Sequence, residues 1–202
     1  MDSTATIVKC IQAAARDLEL PVPSEKAAAY VIGLGLQEAM QAVLPDVDSK
    51  YHVRMAERYR YHYLAKDQQL VLFDGVREML EDLAGQGYRL AVATGKSRAG
   101  LNRALAESKL APLFDATRCA DETFSKPHPA MLEELTQELG QEMSRTVMIG
   151  DTTHDLQMAL NAGSASIGVR HGAHSDMELL PLNPLYIADS IPQLHAWLDM
   201  HA

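Results

Sequence analysis

Four short apolar runs in the second half of the chain constrain its fold more than any other feature: RLAVAT (89–94), TVMIG (146–150), SASIGV (164–169) and PLYIAD (184–189). Each has the length of a strand, is flanked by turn residues and is separated from the next by a helical stretch. The helices are clearly punctuated. Pro129 opens one and Gly140 closes it, with Ala130, Met131, Leu132, Leu135 and Leu139 between them. Another runs from Thr153 through Leu156, Ala159 and Leu160 to Gly163. A last one, over 191–199, carries Trp197 as a core residue. Strands alternating with helices predict an α/β fold, a doubly wound and mostly parallel sheet with helices on both faces. Ligands of such sheets lie beyond the carboxyl ends of the strands. Chemistry is therefore sought in the residues just after each apolar run.

Residues 4–66 have a different character and read as helix only, which divides the chain into 4–66 and 67–202. One helix reaches Leu20 and a break follows at PVPS (21–24). A second helical run covers 24–44, interrupted by Gly33 and Gly35, and a third covers 48–65. The first begins almost at once: Ile7, Val8, Ile11, Ala14, Ala15 and Leu18 fall at helical spacing, behind Asp2, Ser3 and Thr4 as candidate N-caps. A helix capped so early usually follows another element.

Charge and cysteine content narrow the function. The net charge of −9 leaves no basic stripe to track a nucleic-acid backbone. A small phosphorylated molecule needs only one or two placed cations and stays possible. Cys10 and Cys119 are far apart in apolar settings and read as core thiols of a reducing compartment rather than as a disulfide. Residues 1–20 carry Lys9, Arg16, Asp17 and Glu19 through the apolar pattern, unlike a signal peptide. No stretch approaches the ~20 apolar residues of a membrane span, and the eight histidines show no metal spacing such as HExxH. These features point to a cytoplasmic protein, and oligomeric state is not legible.

Three strand ends stand out. In LAVATGK (90–96) the Thr94 hydroxyl and the Gly95 N–H suit a phosphoryl oxygen, although Thr-Gly also makes an ordinary turn. In SKPHP (125–129) Lys126 precedes a helix and can neutralise a bound anion, or be merely solvated. In VMIGDTTHD (147–155) Asp151 and Asp155 flank a strand-to-helix turn, so that both carboxylates can converge. A carboxylate pair beside an anion site suits Mg²⁺, which prefers oxygen ligands. The alternative is that Asp151 caps the helix and Asp155 sits solvated in its first turn.

Taken together, Thr94, Lys126 32 residues on, and a GDxxxD beginning one residue before Asp151, another 25 on, resemble the haloacid dehalogenase superfamily of hydrolases. The resemblance is to the phosphoglycolate phosphatase-like branch with a helical cap. TGKSR (94–98), KPHP (126–129) and GDTTHD (150–155) correspond to its second, third and fourth motifs. Residues 4–66 then resemble the cap, and 67–202 the Rossmann-like core.

The family's first motif is a strand followed by Asp-x-Asp-Gly-Thr. Its first aspartate attacks phosphorus to form an aspartyl-phosphate, and its second acts as general acid and base. This sequence resembles the tail of that motif at Asp2-Ser3 and has nothing before Met1. It therefore looks like a family member that begins after its first motif, with Met1 an internal methionine, a mis-set start or a truncation. LVLFDGV (70–76) is the one other candidate. It lacks the second aspartate, since position 76 is Val, and lies only 20 residues before Thr94. Asp74 reads instead as the cap of a helix beginning near Val76, with Met79, Leu80 and Leu83 facing inward. In the family the missing strand is central, between those carrying Thr94 and Asp151. Its loss would leave two edges unpaired and remove aliphatic side chains worth about 1.5–3 kcal/mol each. Against a total of ~5–15 kcal/mol, the short chain is expected not to melt cooperatively.

The resemblance implies a Mg²⁺-dependent phosphatase of a small phosphorylated metabolite. Thr94 and Gly95 would hold the phosphoryl group and Lys126 would offset its charge. Asp151 would bind Mg²⁺ and Asp155 would support it. Without the nucleophile, the chain as given is expected to be inactive or several powers of ten slower. The same fold also hosts phosphomutases and metal-free dehalogenases, the latter disfavoured by GDxxxD. A non-catalytic role in binding a phospho-metabolite or a partner is the alternative from another class. Substrate choice would lie in the cap, where GLGLQEA (33–39) reads either as a loop turned to the site or as a helix break. YRYHY (59–63) either reaches the cleft or packs within the cap.

Overall fold

The computed structural model describes residues 3–65 and 72–201. Four helices come first: α1 (Thr4–Asp17), α2 (Glu25–Tyr30), α3 (Leu36–Val43) and α4 (Ser49–Ala65). Ser3 takes the N-cap position of α1 without a side-chain capping bond, and Asp2 lies outside the described residues. Ser24 does cap α2, accepting from the Ala27 N–H. The helices pack on their own apolar core, with Val8, Ile11 and Ala14 of α1 meeting Met40 of α3 and Met55 of α4. Ile11 is only 1% exposed. Ile11→Ala is expected to cost about 2–5 kcal/mol through lost contacts and the cavity left behind. Urea denaturation reads this directly, and a loss below about 1 kcal/mol would mean the core repacks around the gap.

Then the pattern alternates. In order come α5 (Val76–Gly85), β1 (Ala91–Thr94), α6 (Arg98–Ser108), β2 (Ala116–Cys119) and α7 (Ala130–Leu139). They are followed by β3 (Val147–Gly150), α8 (Thr153–Ala162), β4 (Ala165–Val169), α9 (Asp176–Leu179), β5 (Tyr186–Ala188) and α10 (Ile191–His201). Among the described residues every ladder is parallel. The α/β expectation holds, and four of the five strands fall inside the four apolar runs. The strands form two sheets, β1–β2 and β3–β4–β5. Among the described residues β1 and β3 share no ladder, leaving one free edge on each of the strands that lead to Thr94 and to Asp151.

Helices cover both faces, as the alternation of side chains along a strand requires. On one face Ile149, Ile167 and Val169 meet Met79 and Leu83 of α5 and Leu194 and Leu198 of α10. On the other, Ala93 and Met148 meet Met131 and Leu132 of α7 and Met158 and Ala159 of α8. Trp197 packs at the edge of the first cluster and stacks on Tyr186. Asp74 does not cap α5: it is exposed, and Gly75, in a left-handed conformation with φ of 82°, holds the N-cap position. Cys10 and Cys119 are both buried and form no disulfide. Burial pushes the Cys119 thiol up to about 11. Among the described residues no helix is long and apolar enough to cross a membrane.

Candidate functional site

Lys126 organises the strand ends. It is buried, at 6% exposure, and its Nζ donates to the carbonyl oxygen of Ala93, in β1, at 2.9 Å and to Asp155 Oδ1, in α8, at 2.5 Å. One ammonium group thus ties the end of β1 to the turn after β3. Asp155 is equally buried, and its Oδ2 accepts from Thr152 N at 3.1 Å and Thr152 Oγ1 at 2.7 Å, completing a capping box on α8. Burial alone would raise the Asp155 carboxyl. The Lys126 charge, with hydrogen bonds from Lys126 and Thr152, outweighs it and holds the group below the ordinary carboxylate range. Gly150 explains the glycine of GDxxxD, because a Cβ there would overlap the Asp155 side chain.

Asp151 is placed differently. Its Oδ2 accepts from Ala173 N at 2.9 Å, and Oδ1 has no hydrogen-bond partner among the described residues. The two aspartates therefore do not form an open carboxylate pair. Asp155, expected as a metal residue, is a buried counter-ion with both oxygens engaged. Asp151 alone offers an uncommitted hard oxygen. That suits Mg²⁺, which takes one or two protein carboxylates and completes its shell with water and substrate oxygens. The donor chemistry present fits such an ion through Asp151, while the Asp155 oxygens are already taken by Lys126 and Thr152.

Thr94 ends β1, its Oγ1 accepting from Lys96 N at 3.2 Å. The Gly33–Gly35 loop between α2 and α3 crosses these strand ends. A Cβ on Gly95 would lie inside the contact shell of the Gly33 and Leu34 carbonyl oxygens, which is why this position needs glycine. Gly35 N donates to Ser125 Oγ at 2.6 Å. Residues 33–35 are thus a loop against the strand ends as well as a break between helices, and 36–39 already belong to α3. In YRYHY, Tyr59 packs with the helical core and stacks on Tyr63, while Tyr63 Oη lies 3.4 Å from Lys96 Nζ.

Two contacts had no sequence signal. His154 and His174 both direct Nε2 to the carbonyl oxygen of Tyr30, at 2.8 and 3.0 Å. His174 Nδ1 accepts from Thr153 N at 2.9 Å, which leaves Nε2 as the donor. Burial lowers the pKa of His154, favouring the neutral ring. A cavity of about 540 Å³ opens beside Lys126, away from this histidine pair, lined in part by Glu38, Phe124, Lys126, His128 and Asn161. The sequence contains one Asp-x-Asp, Asp46-Val47-Asp48. Both carboxylates are exposed in the turn between α3 and α4, where Asp48 accepts from Lys50 N, so it is a turn and no part of this site.

Residues 1–169 match the family model for haloacid dehalogenase-like hydrolases. The chain is 37% identical to "Probable phosphatase IndB" of Dickeya dadantii over 99% of its own length and 91% of that protein's. It is 28% identical to a phosphoglycolate phosphatase of Aliivibrio fischeri over 99% of this chain and 92% of the relative. A solved structure from Clostridium acetobutylicum, described as a predicted phosphatase, superposes with a TM-score of 0.86 at 26% identity, covering 98% of this chain and 93% of the other. A hydrolase from Pseudomonas syringae superposes at 0.90 with 20% identity over 100% of this chain and 94% of its own, a likeness of fold.

Proposed function

This chain belongs to the haloacid dehalogenase-like hydrolases, and we propose that its site receives the phosphoryl group of a small phosphomonoester. The observation that carries the reading is the buried Lys126 ammonium between Ala93 O and Asp155. A lysine desolvated at the mouth of a parallel sheet, beside a Thr-Gly turn and an uncommitted carboxylate, is a site for an anion together with its counter-charges. Thr94 Oγ1 and the Gly95 N–H donate to phosphoryl oxygens, and Lys126 offsets their charge. Asp155 pairs with Lys126 and aims it. Asp151 holds Mg²⁺, which when bound neutralises charge developing on the transferring group. Helices α1–α4 act as the cap, and the Gly33–Gly35 loop closes over the leaving group.

The reaction class is hydrolysis of a phosphate ester through an aspartyl-phosphate. Phosphoglycolate leads as substrate, given the relatives that bear that name. A second reading rests on one sequence fact: the 202 residues hold no Asp-x-Asp-Gly-Thr. On that second reading these residues would bind a phosphorylated metabolite without turning it over. Titration with inorganic phosphate and with phosphoglycolate tests the shared premise. Binding is expected to tighten when Mg²⁺ is added, and Asp151→Asn to reduce that gain about tenfold. If wild-type protein binds neither anion with or without Mg²⁺, the site is misassigned.

A further inference from the structure

A second polar cluster lies on the helices covering the sheet face opposite α7 and α8. His195 and Asp199 stand one turn apart on α10, and Asp82 faces them from α5. His195 Nε2 is 3.1 Å from Asp82 Oδ2 and 3.8 Å from Asp199 Oδ1. Among the described residues these three make the one group of His, Cys, Asp or Glu whose ligand atoms all lie within 4.8 Å of one another.

His195 Nε2 is hydrogen-bonded to Asp82 Oδ2, and the Asp199 carboxylate faces the same nitrogen without such a bond. Two carboxylates point at the same ring nitrogen, and a single N–H there serves only one of them; the second, at 3.8 Å, is beyond hydrogen-bond range. A cation in place of that proton meets all three donors. Tetrahedral Zn²⁺ takes imidazole nitrogen and carboxylate oxygen at about 2.0–2.2 Å, which sets neighbouring ligand atoms about 3.4 Å apart. The imidazole is the selective donor, because nitrogen ligands favour Zn²⁺ and its transition-metal neighbours over Mg²⁺ and Ca²⁺. Beneath the cluster Met79, Leu83, Leu194 and Leu198 are buried together, so both helix backbones are already fixed. Gln86 Nε2 donates to Asp199 Oδ1 at 3.3 Å, orienting that carboxylate from α5.

We propose that Asp82, His195 and Asp199 form a divalent transition-metal site of Zn²⁺ type. Its fourth position is open to water, and it clips the C-terminal helix α10 to α5. It is separate from the Lys126 site in residues and in metal preference.

The test is calorimetric titration of the full 202-residue chain with ZnCl₂ in chelator-free buffer, alongside thermal melts. One Zn²⁺ per chain is expected to bind and to raise the melting temperature, with Mg²⁺ at the same concentration failing to compete. His195→Gln is expected to weaken Zn²⁺ binding about tenfold or more, and Asp82→Asn to weaken it as well. Asp151→Asn, at the other site, is expected to leave Zn²⁺ binding unchanged. No Zn²⁺ binding by the folded wild type overturns the proposal. So does equal affinity in His195→Gln, or loss of binding in Asp151→Asn alone.

Discussion

Lys126→Met is expected to destabilise the protein by about 3–5 kcal/mol at neutral pH, the cost of leaving a buried charge without its partner. Asp155 stays behind at 4% exposure with the Thr152 donors as its remaining compensation. In the native chain its carboxyl lies below the ordinary range, so the pair stabilises above that range and the contribution is lost only as pH falls through the depressed value. Without Lys126, burial is largely unopposed and the carboxyl moves up. The sign then reverses: the variant is hurt most at neutral pH, and its deficit shrinks as pH falls and Asp155 protonates. Urea denaturation at pH 7 and at pH 4 reads both effects. Adding Asp155→Asn to Lys126→Met is expected to recover most of the loss, because the amide oxygen still caps α8 and no charge remains to desolvate. A loss below about 1 kcal/mol at pH 7 would mean the pair is solvated like a surface one, and the phosphate-site reading would lose its main support.

The same pair shows what the sequence could and could not convey. Helices α1–α4 were legible because apolar residues recur at helical spacing, and β1, β3, β4 and β5 because each is a short apolar run. The strand β2 was not legible. Its sequence, Ala-Thr-Arg-Cys, places Thr117 and Arg118 at its centre. Arg118 is accommodated by tertiary ion pairs, Nε with Glu134 at 2.7 Å and Nη2 with Glu138 at 2.6 Å. No local pattern records such partners. Asp74 failed as a cap for a related reason: Gly75 turns the chain left-handed and takes the N-cap position itself.

At the site, motif spacing located Thr94, Lys126, Asp151 and Asp155, and the structure brings Lys126 to Ala93 and Asp155. It could not say that Asp155 would spend both oxygens on Lys126 and Thr152 while Asp151 kept one. That division depends on which carboxylate lies under the lysine, a three-dimensional fact. The histidine pair on the Tyr30 carbonyl was invisible for the same reason, since His154 and His174 are 20 residues apart and their acceptor is a backbone atom.

Fusing an apolar strand that ends in Asp-x-Asp-Gly-Thr ahead of Ser3 is expected to raise Mg²⁺-dependent phosphoglycolate hydrolysis about 10³-fold or more over the 202-residue chain. The structure has a place for such a strand. Among the described residues β1 is paired with β2 alone and β3 with β4 alone, so each keeps one edge of N–H and C=O groups available for a parallel neighbour. A strand seated between them would join the two sheets into one. Its carboxyl end would then emerge beside Thr94 and Asp151, where Lys126 already presents a desolvated positive charge. On the proposed aspartyl-phosphate reading the first aspartate would supply the nucleophile and the second the proton transfers. Pairing two edges also adds backbone hydrogen bonds and buried aliphatic area, so the fusion is expected to melt more cooperatively than the shorter chain. The decisive controls are the fusion with its first aspartate changed to Asn, and the active fusion treated with EDTA; each is expected to return the rate to that of the 202-residue chain. If the fusion folds, binds phosphate and still shows no gain, the aspartyl-phosphate reading fails and the binding role stands in its place.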